Sequence, residues 1–215
     1  MEMFAGLSNR ERAAKINRAL AKAYPDARCL LDYSNPLELL VATILAAQCT
    51  DKKVNEVTAD LFCRYRSAAD FAGADLAELE KEIRPTGFFR QKAKSVIATC
   101  RGLVEQFGGR VPETIEELTS LQGVGRKTAN VVLGNVFGWP AIIVDTHVRR
   151  LAGRLGLSSG TNPDDIETDL QMLLPPKEWT AFSHRLGFHG RQVCFARKPA
   201  HDKCVVAQWC PSADL

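Results

Sequence analysis

Apolar residues recur at the spacing of an α-helix along nearly the whole chain, and this pattern excludes most fold classes. In residues 88–107, apolar side chains repeat every three or four positions until Gly108 and Gly109 end the helix. Residues 142–144 could form a short strand, but a single strand has no partner in this sequence. We therefore interpret them as a buried entry into a helix over 146–155. The sequence predicts an all-α fold.

Helix start and stop signals divide this pattern into about ten segments. Ser8 and Glu11 form a capping box, Pro36 stands in the first turn of the next helix, and Asp51 can cap the third. The predicted helices run over about 9–24, 36–48, from 51, 74–84, 88–107, 113–120, 126–137, 146–155, from 163, and 177–191.

Composition bounds the class of protein without identifying it. The chain has 215 residues, 46% hydrophobic and 25% charged, enough for one large domain or two small ones. The net charge of +3 permits a nucleic-acid partner but does not demand one. No apolar run approaches the roughly eighteen residues of a membrane span, and the first residues lack the pattern of a signal peptide. We expect a cytoplasmic protein with no membrane partner.

A glycine hairpin lies between two predicted helices at Leu121-Gln-Gly-Val-Gly-Arg-Lys127. Gly123 and Gly125 allow the backbone to take unusual dihedral angles and to present consecutive N–H groups to a phosphate. Lys127 follows in the first helical turn, and Asp145 supplies a carboxylate eighteen residues later. An amine and a carboxylate beside a phosphate-binding turn suggest chemistry on DNA.

The C-terminal tail contains Cys194, Cys204 and Cys210 on a segment with little regular periodicity. Such a tail has too few apolar residues to order itself, so a metal centre is a natural cross-link. The alternative is a set of unligated thiols on a frayed terminus. The remaining cysteines are scattered along helices, and we expect them to be buried and inert: Cys29, Cys49, Cys63 and Cys100.

Together these motifs resemble endonuclease III, a family of bifunctional DNA glycosylases in the helix-hairpin-helix superfamily. The resemblance covers residues 10 to 211 and rests on these segments: Ala47-Gln-Cys-Thr-Asp51, Leu121 to Val132, Phe137-Gly-Trp-Pro, Val144-Asp-Thr-His-Val, His189-Gly-Arg, Ala196-Arg-Lys-Pro and the terminal cysteines. It implies two helical domains with DNA and the active site in the cleft between them. One is a helical barrel with the hairpin, over 29–138. The other is discontinuous, over 1–28 and 139–215, and carries a metal-cluster loop.

The family holds a [4Fe–4S] cluster with the pattern Cys-x6-Cys-x2-Cys-x5-Cys, and this chain departs from it at one position. It keeps the spacing but places His201 where the family has the second cysteine. Imidazole replaces thiolate on iron in Rieske centres, where it raises the reduction potential. The resemblance therefore implies a cluster held by Cys194, His201, Cys204 and Cys210. A zinc site with a Cys3His ligand set and a tail without metal are the alternatives.

By the same resemblance, Lys127 is the nucleophile that attacks C1′ and forms a Schiff base, and β-elimination then nicks the strand. The helix N-terminus and Arg126 both disfavour the ammonium, as a lysine nucleophile requires. Asp145 accepts the lysine proton or stabilises positive charge at C1′. The alternatives are that Lys127 only contacts phosphate and that Asp145 only caps a helix. For His147 we favour a structural or phosphate contact.

The resemblance also assigns DNA contacts. Gln48 fills the gap left by the flipped base, and Phe88 is a wedge against the opposite strand, unless it packs in the core. The glycines of the hairpin bind phosphate. The remaining candidates for phosphate contacts are Arg90, Arg191 and Lys198, each of which could equally be a solvated surface charge.

The implied function is the removal of oxidised pyrimidines from duplex DNA, with cleavage at the abasic site. The related adenine-mismatch glycosylase is the second enzyme to consider, but it lacks a lysine at the 127 position and has a further C-terminal domain. A non-catalytic helix-hairpin-helix DNA-binding protein is the third possibility. We expect a nucleoid-associated monomer whose partner is double-stranded DNA with damaged bases or abasic sites.

Overall fold

The computed structural model describes residues 7–213. Residues 1–6, on which the expectation about a signal peptide partly depends, lie outside the described part, as do residues 214–215. Between residues 7 and 213 the regular structure is helical, with no strand, as predicted. No helix in this part is long and apolar enough to cross a membrane. The α-helices are α1 (Asn9–Ala23), α2 (Pro36–Leu45), α3 (Asp51–Arg64), α4 (Ala68–Ala72), α5 (Leu76–Glu82), α6 (Phe89–Phe107), α7 (Ile115–Ser120), α8 (Arg126–Val132), α9 (Thr146–Arg154), α10 (Pro163–Leu173) and α11 (Trp179–Gln192).

The N-termini of the helices follow the capping rules. At α1 the predicted capping box is present, because the Glu11 N–H donates to Ser8 Oγ at 3.2 Å and the Ser8 N–H donates to Glu11 Oε2 at 2.8 Å. The prediction that Asp51 caps α3 is wrong. Thr50 is the cap, since its Oγ1 accepts from the Lys53 N–H at 3.3 Å, and Asp51 is the first residue of the helix.

Three local features differ from the predicted pattern. The helix α2 ends at Leu45, so Gln48 lies in the following turn and not at the end of a helix. The five-residue helix α4 was not predicted. After α8, residues Leu133–Phe137 continue in π-helical geometry, which the apolar periodicity did not distinguish from an α-helix.

The described chain divides into two compact units. The first, Leu30–Trp139, contains α2 to α8, and its long helix α6 packs against α2, α4 and α5. Its fully buried side chains include Leu39, Leu40, Phe71, Leu79, Leu103 and Leu118. A 3-10 turn, Arg84–Thr86, leads into Gly87 and Phe88 just before α6.

The second unit is discontinuous and joins the residues up to Cys29 with those from Pro140. Ile16 and Leu20 of α1 pack in one core with Leu151 of α9 and with Phe182 of α11. The buried side chain of Arg12 extends from α1 to the rest of this unit. Its guanidinium donates to the carbonyl oxygens of Leu155, of Gly156 at 2.6 Å and of Trp209 at 3.2 Å.

Candidate active-site residues and the cysteine tail

The first half of the glycine hairpin is held tightly inside the Leu30–Trp139 unit. Gly123 has a φ of 95°, and a Cβ there would lie 3.0 Å from Ser95 Cβ and 3.1 Å from Thr99 Oγ1. Thr99, a buried residue of α6, donates from Oγ1 to the Gln122 carbonyl oxygen at 2.7 Å. Only glycine satisfies both the conformation and the close approach at position 123.

The second half of the hairpin is open. Gly125 is the N-cap of α8 with a φ of −92°, and a Cβ there would meet no atom of the described residues within 4 Å. Among residues 7–213, no side chain makes a capping hydrogen bond at the N-terminus of α8. Lys127 lies in this first turn and is exposed. An anion could approach here, with a primary amine next to it.

Asp145 lies in the other unit, at the start of α9. The preceding residues 142–144 are buried and form no strand, as predicted, and the Ile143 N–H donates to Ser183 Oγ at 2.9 Å. The half-buried Asp145 is the N-cap of α9, because its Oδ1 accepts from the Val148 N–H at 2.7 Å. The buried lead-in and the cap together fix the position of the carboxylate.

The two imidazoles near Asp145 both have a lowered pKa. Burial lowers the pKa of His184 to about 4, with Arg191 lowering it further and Asp145 opposing the change. Burial likewise lowers the pKa of His147. His147 Nδ1 is 3.1 Å from Arg150 Nη2, which agrees with a structural contact. A lowered pKa disfavours the protonated rings as counter-charges to the Asp145 carboxylate, whereas the Arg191 cation lies close enough to affect both imidazoles.

Gln48 and Phe88 share an unusual backbone. In the described part of the chain they are the two residues other than glycine with positive φ, at 53° and 47°. This region is uncommon for a residue with a Cβ and is most unfavourable for a bulky one. Both side chains are exposed, Phe88 by 66%. Core packing of Phe88, the alternative considered from the sequence, is therefore wrong.

The candidate phosphate contacts are exposed cations. The Arg90 guanidinium stands 5.6 Å from the ring centroid of the adjacent Phe89, in the Leu30–Trp139 unit. Arg191, at the end of α11, and Lys198, in the tail, belong to the discontinuous unit. Their exposure makes them accessible to a polyanion, but it does not by itself distinguish them from ordinary surface charges.

The structure brings the predicted metal ligands of the tail to one cavity. Cys194, His201, Cys204 and Cys210 all line it, together with apolar side chains such as Leu151. Within residues 7–213, no three His, Cys, Asp or Glu side chains are grouped closely enough to hold a single metal ion. A zinc ion needs its ligands within about 2.0–2.3 Å of one point, whereas a [4Fe–4S] cluster bonds each ligand to a different iron. The arrangement of these four side chains around one cavity therefore fits a cluster better than a single zinc ion.

Two further residues contact the proposed ligands and were not predicted. Arg154 donates from Nη1 to Cys194 Sγ at 3.3 Å and to the Phe195 carbonyl oxygen at 2.7 Å. His189 Nε2 is 3.4 Å from Cys204 Sγ. The His189-Gly-Arg segment was noticed only as part of the resemblance, because no sequence spacing relates a helix residue to a tail that folds back on it.

Burial raises the pKa of the Cys204 and Cys210 thiols. Bound iron supplies the positive charge that a buried thiolate requires.

The expectation that the other cysteines are buried is only partly right. Cys100 is buried, which raises its pKa to about 12, but Cys63 is exposed. Cys29 and Cys49 are half-buried.

Comparison with known proteins identifies the family. Residues 41–176 match the HhH-GPD superfamily of base excision DNA repair proteins, and residues 194–210 match the iron–sulfur binding domain of endonuclease III. Endonuclease III of Synechocystis sp. is 53% identical over 96% of this chain and 94% of its own length. The protein of the same name from Escherichia coli (strain K12) is 39% identical, over 94% of this chain and 96% of its own length.

Solved structures give the same result. A trapped covalent intermediate of endonuclease III with DNA superposes with a TM-score of 0.92 at 41% identity, over 96% of this chain and 98% of that one. A non-covalent endonuclease III–DNA complex superposes with a TM-score of 0.91, also at 41% identity, over 96% of this chain and 97% of that one. The chain therefore belongs to the endonuclease III family of the HhH-GPD superfamily.

Proposed function

We propose that Lys127 is the nucleophile of a DNA glycosylase that removes oxidised pyrimidines from duplex DNA and then cleaves the strand at the abasic site. The family carries the activity, since endonuclease III is a glycosylase with lyase activity. The observation that supports Lys127 is its position, an exposed amine in the first turn after the open glycine of the hairpin. A related enzyme trapped as a covalent intermediate with DNA supports a covalent mechanism.

In this mechanism the amine of Lys127 attacks C1′ of the damaged nucleotide, and the bond from C1′ to the base breaks. Loss of a proton and opening of the sugar convert the adduct into a Schiff base, from which β-elimination breaks the strand. Asp145 accepts the lysine proton or stabilises the positive charge that develops at C1′. The lowered pKa of His147 and of His184 disfavours a protonated imidazole that would compete for the Asp145 carboxylate.

The DNA contacts are proposed from the exposed residues already described. The hairpin at Gly123 and Gly125 binds a phosphate through its backbone. Gln48 and Phe88 enter the duplex at the site of the extruded nucleotide, and their exposure and strained backbone support this role. The proposed side-chain contacts to phosphate are those of Arg90, Arg191 and Lys198.

The chain has the [4Fe–4S] domain of its family, and we propose that Cys194, His201, Cys204 and Cys210 are the ligands. These four side chains would hold the cluster, which would cross-link the tail. Arg154 and His189 orient two of the thiolates by hydrogen bonds to sulfur. We also propose that the protein associates with the nucleoid, as its substrate requires.

Borohydride trapping on damaged duplex tests the nucleophile. We expect the parent protein to become covalently attached, and Lys127→Ala to lose both trapping and strand cleavage while it still binds damaged DNA through the hairpin backbone. Lys52→Ala, which removes another exposed lysine of the same unit, is the matched control and should trap like the parent.

The outcomes separate the alternatives. Appreciable trapping by Lys127→Ala would remove Lys127 as the nucleophile. Base release without trapping by the parent would indicate a monofunctional enzyme like the adenine-mismatch glycosylase. Binding with neither base release nor trapping would indicate a helix-hairpin-helix protein without catalysis.

A further inference from the structure

A buried ammonium group lies beneath the turn that carries Phe88. Lys92, in the first turns of α6, is only 4% exposed. Its Nζ donates to the Thr86 carbonyl oxygen at 2.7 Å. Burial lowers the pKa of Lys92, and the nearby Cys49, next to Gln48 in the chain, opposes this change. Burying a charged amine costs free energy unless the amine is paired or hydrogen-bonded. The position of Lys92 beneath this turn therefore requires an explanation.

Lys92 bonds to the turn on both sides of Gly87 and Phe88. Its side chain holds the carbonyl oxygen of Thr86, before the turn, and its backbone N–H donates to the Phe88 carbonyl oxygen at 3.1 Å, after it. Thr86 is fixed in turn, because its Oγ1 donates to the Ile83 carbonyl oxygen at 2.8 Å. The two residues between these bonds both have positive φ, 70° at Gly87 and 47° at Phe88.

A strained conformation persists only where its surroundings determine it completely. The Phe88 ring is 66% exposed and gains little from packing, so the constraint must come from the backbone on either side. On the Thr86 side, the Gly87 N–H donates to the Arg84 carbonyl oxygen at 3.2 Å, and the bond to the Thr86 carbonyl oxygen comes from the Lys92 ammonium. Without it, the Thr86 carbonyl would have to turn toward another donor, and Phe88 could return to negative φ with its ring in a different direction.

We propose that Lys92 is a positioning residue that holds the 86–88 turn in its strained form, so that Phe88 is presented to the DNA ready for insertion. The inference rests on the role proposed above for Phe88 as a wedge. It implies that Lys92 contributes to extrusion of the damaged nucleotide and not to the chemistry at C1′. Lys92 would then matter most where extrusion is most costly, on a fully paired duplex.

The test compares Lys92→Met with Lys94→Met, the same change at an exposed position of α6. The single-turnover excision rate is measured on thymine glycol in two duplexes. In one the lesion is paired to adenine, and in the other it lies opposite a tetrahydrofuran analogue of an abasic site, which has no C1′ aldehyde and cannot be cleaved through a Schiff base. We expect Lys92→Met to lose about tenfold or more on the paired duplex, the equivalent of one lost charged hydrogen bond. The loss on the unpaired duplex should be small. Lys94→Met should match the parent on both.

A double-mutant comparison tests whether Lys92 acts through Phe88. In a Phe88→Ala background, Lys92→Met should cause no further loss on the paired duplex, because the wedge that it positions is already gone. Additive losses would overturn the inference, as would an equal loss on both duplexes. If Lys92→Met does not fold, Lys92→Gln takes its place, and its loss should again be confined to the paired duplex and absent in the Phe88→Ala background.

Failure of this inference is distinguishable from failure of the proposed function. Borohydride trapping on a single strand with a preformed abasic site needs neither extrusion nor a wedge. Lys92→Met should trap there at the rate of the parent. If the parent itself does not trap, the proposed nucleophile fails. If the parent traps and Lys92→Met loses trapping on this substrate too, only the positioning role fails.

Discussion

The carboxylate of Asp145 caps α9, and the catalytic role proposed for it does not compete with capping. The cap uses Oδ1, which accepts the Val148 N–H at 2.7 Å. Asparagine is about as good an N-cap as aspartate and keeps an acceptor oxygen at this position, but it has no negative charge. The two roles of this side chain can therefore be separated by substitution.

We expect Asp145→Asn to lower turnover by roughly 10²-fold or more, the usual scale for a lost acid–base group, with little change in thermal stability. Asp145→Ala should lose turnover and also about 1 kcal/mol of stability with the cap. Excision rates and thermal melting curves measure the two effects. Turnover of Asp145→Asn within a few-fold of the parent would leave capping as its whole role.

At this scale the sequence indicated residue identities better than backbone conformations. Resemblance pointed to Gln48 and Phe88, but nothing in their local sequence predicts positive φ. At Phe88 that conformation lies between two bonds from Lys92, one to the Thr86 carbonyl oxygen and one to the Phe88 carbonyl oxygen, and the first depends on how the turn packs on α6. From the sequence, Lys92 is one of several charged residues along a helix and would be expected on the surface. Its burial is seen only in the structure.

Among the structural elements, the hairpin combines a closed glycine and an open one. Gly123 has positive φ, and a Cβ there would lie closer to Ser95 and Thr99 than van der Waals contact allows, whereas Gly125 has ordinary φ and open space beside it. The sequence shows two equivalent glycines. In the structure, Gly123 is required for packing, and Gly125 leaves space for a ligand.

This difference predicts opposite outcomes for two valine substitutions. Gly125→Val should cost less than about 1 kcal/mol of stability, because valine is a poorer N-cap than glycine. It should weaken binding to damaged and undamaged DNA together, by about tenfold or more, because the side chain blocks a phosphate. Gly123→Val should destabilise the protein by at least about 1 kcal/mol. Melting curves and equilibrium binding to both duplexes give the comparison. A binding loss confined to damaged DNA would contradict phosphate contact at Gly125.

Helix positions were predictable, while several helix ends were not. The capping box at Ser8 fixed the start of α1 because its two side chains are local partners. By contrast, Thr50 and Asp51 are both good caps, and only the structure shows that Thr50 is used. The π-helical Leu133–Phe137 follows α8 without a break in apolar character, so the sequence pattern did not reveal the change of geometry.

For the molecule as a whole, the His201 position decides what kind of metal centre the tail forms. The predicted ligands line one cavity, but their grouping does not suit a single ion.

The predicted division into two domains, 29–138 and the discontinuous 1–28 with 139–215, stays a prediction until the parts are tested as independently folding pieces. The cluster, however, can be tested on the intact protein.

The protein should purify yellow-brown with about four irons per chain. His201→Cys should keep the cluster and lower its reduction potential, since thiolate adds a negative charge that imidazole lacks. His201→Ala should release iron more readily in air. Metal analysis, the visible spectrum and voltammetry measure these effects. A colourless protein with one zinc would contradict the cluster assignment, and a potential unchanged by His201→Cys would remove His201 from the ligand set.

The bonds of Arg12 also constrain the order in which the protein is assembled. Its guanidinium, near the start of the chain, bonds to carbonyl oxygens 143, 144 and 197 residues away. During synthesis, α1 leaves the ribosome first, yet its partners are made last. The Leu30–Trp139 unit is continuous and can fold while translation proceeds. The apolar face of this first helix therefore stays without its core partners until Leu151 and Phe182 have been made, and the bonds of Arg12 are complete only after Trp209.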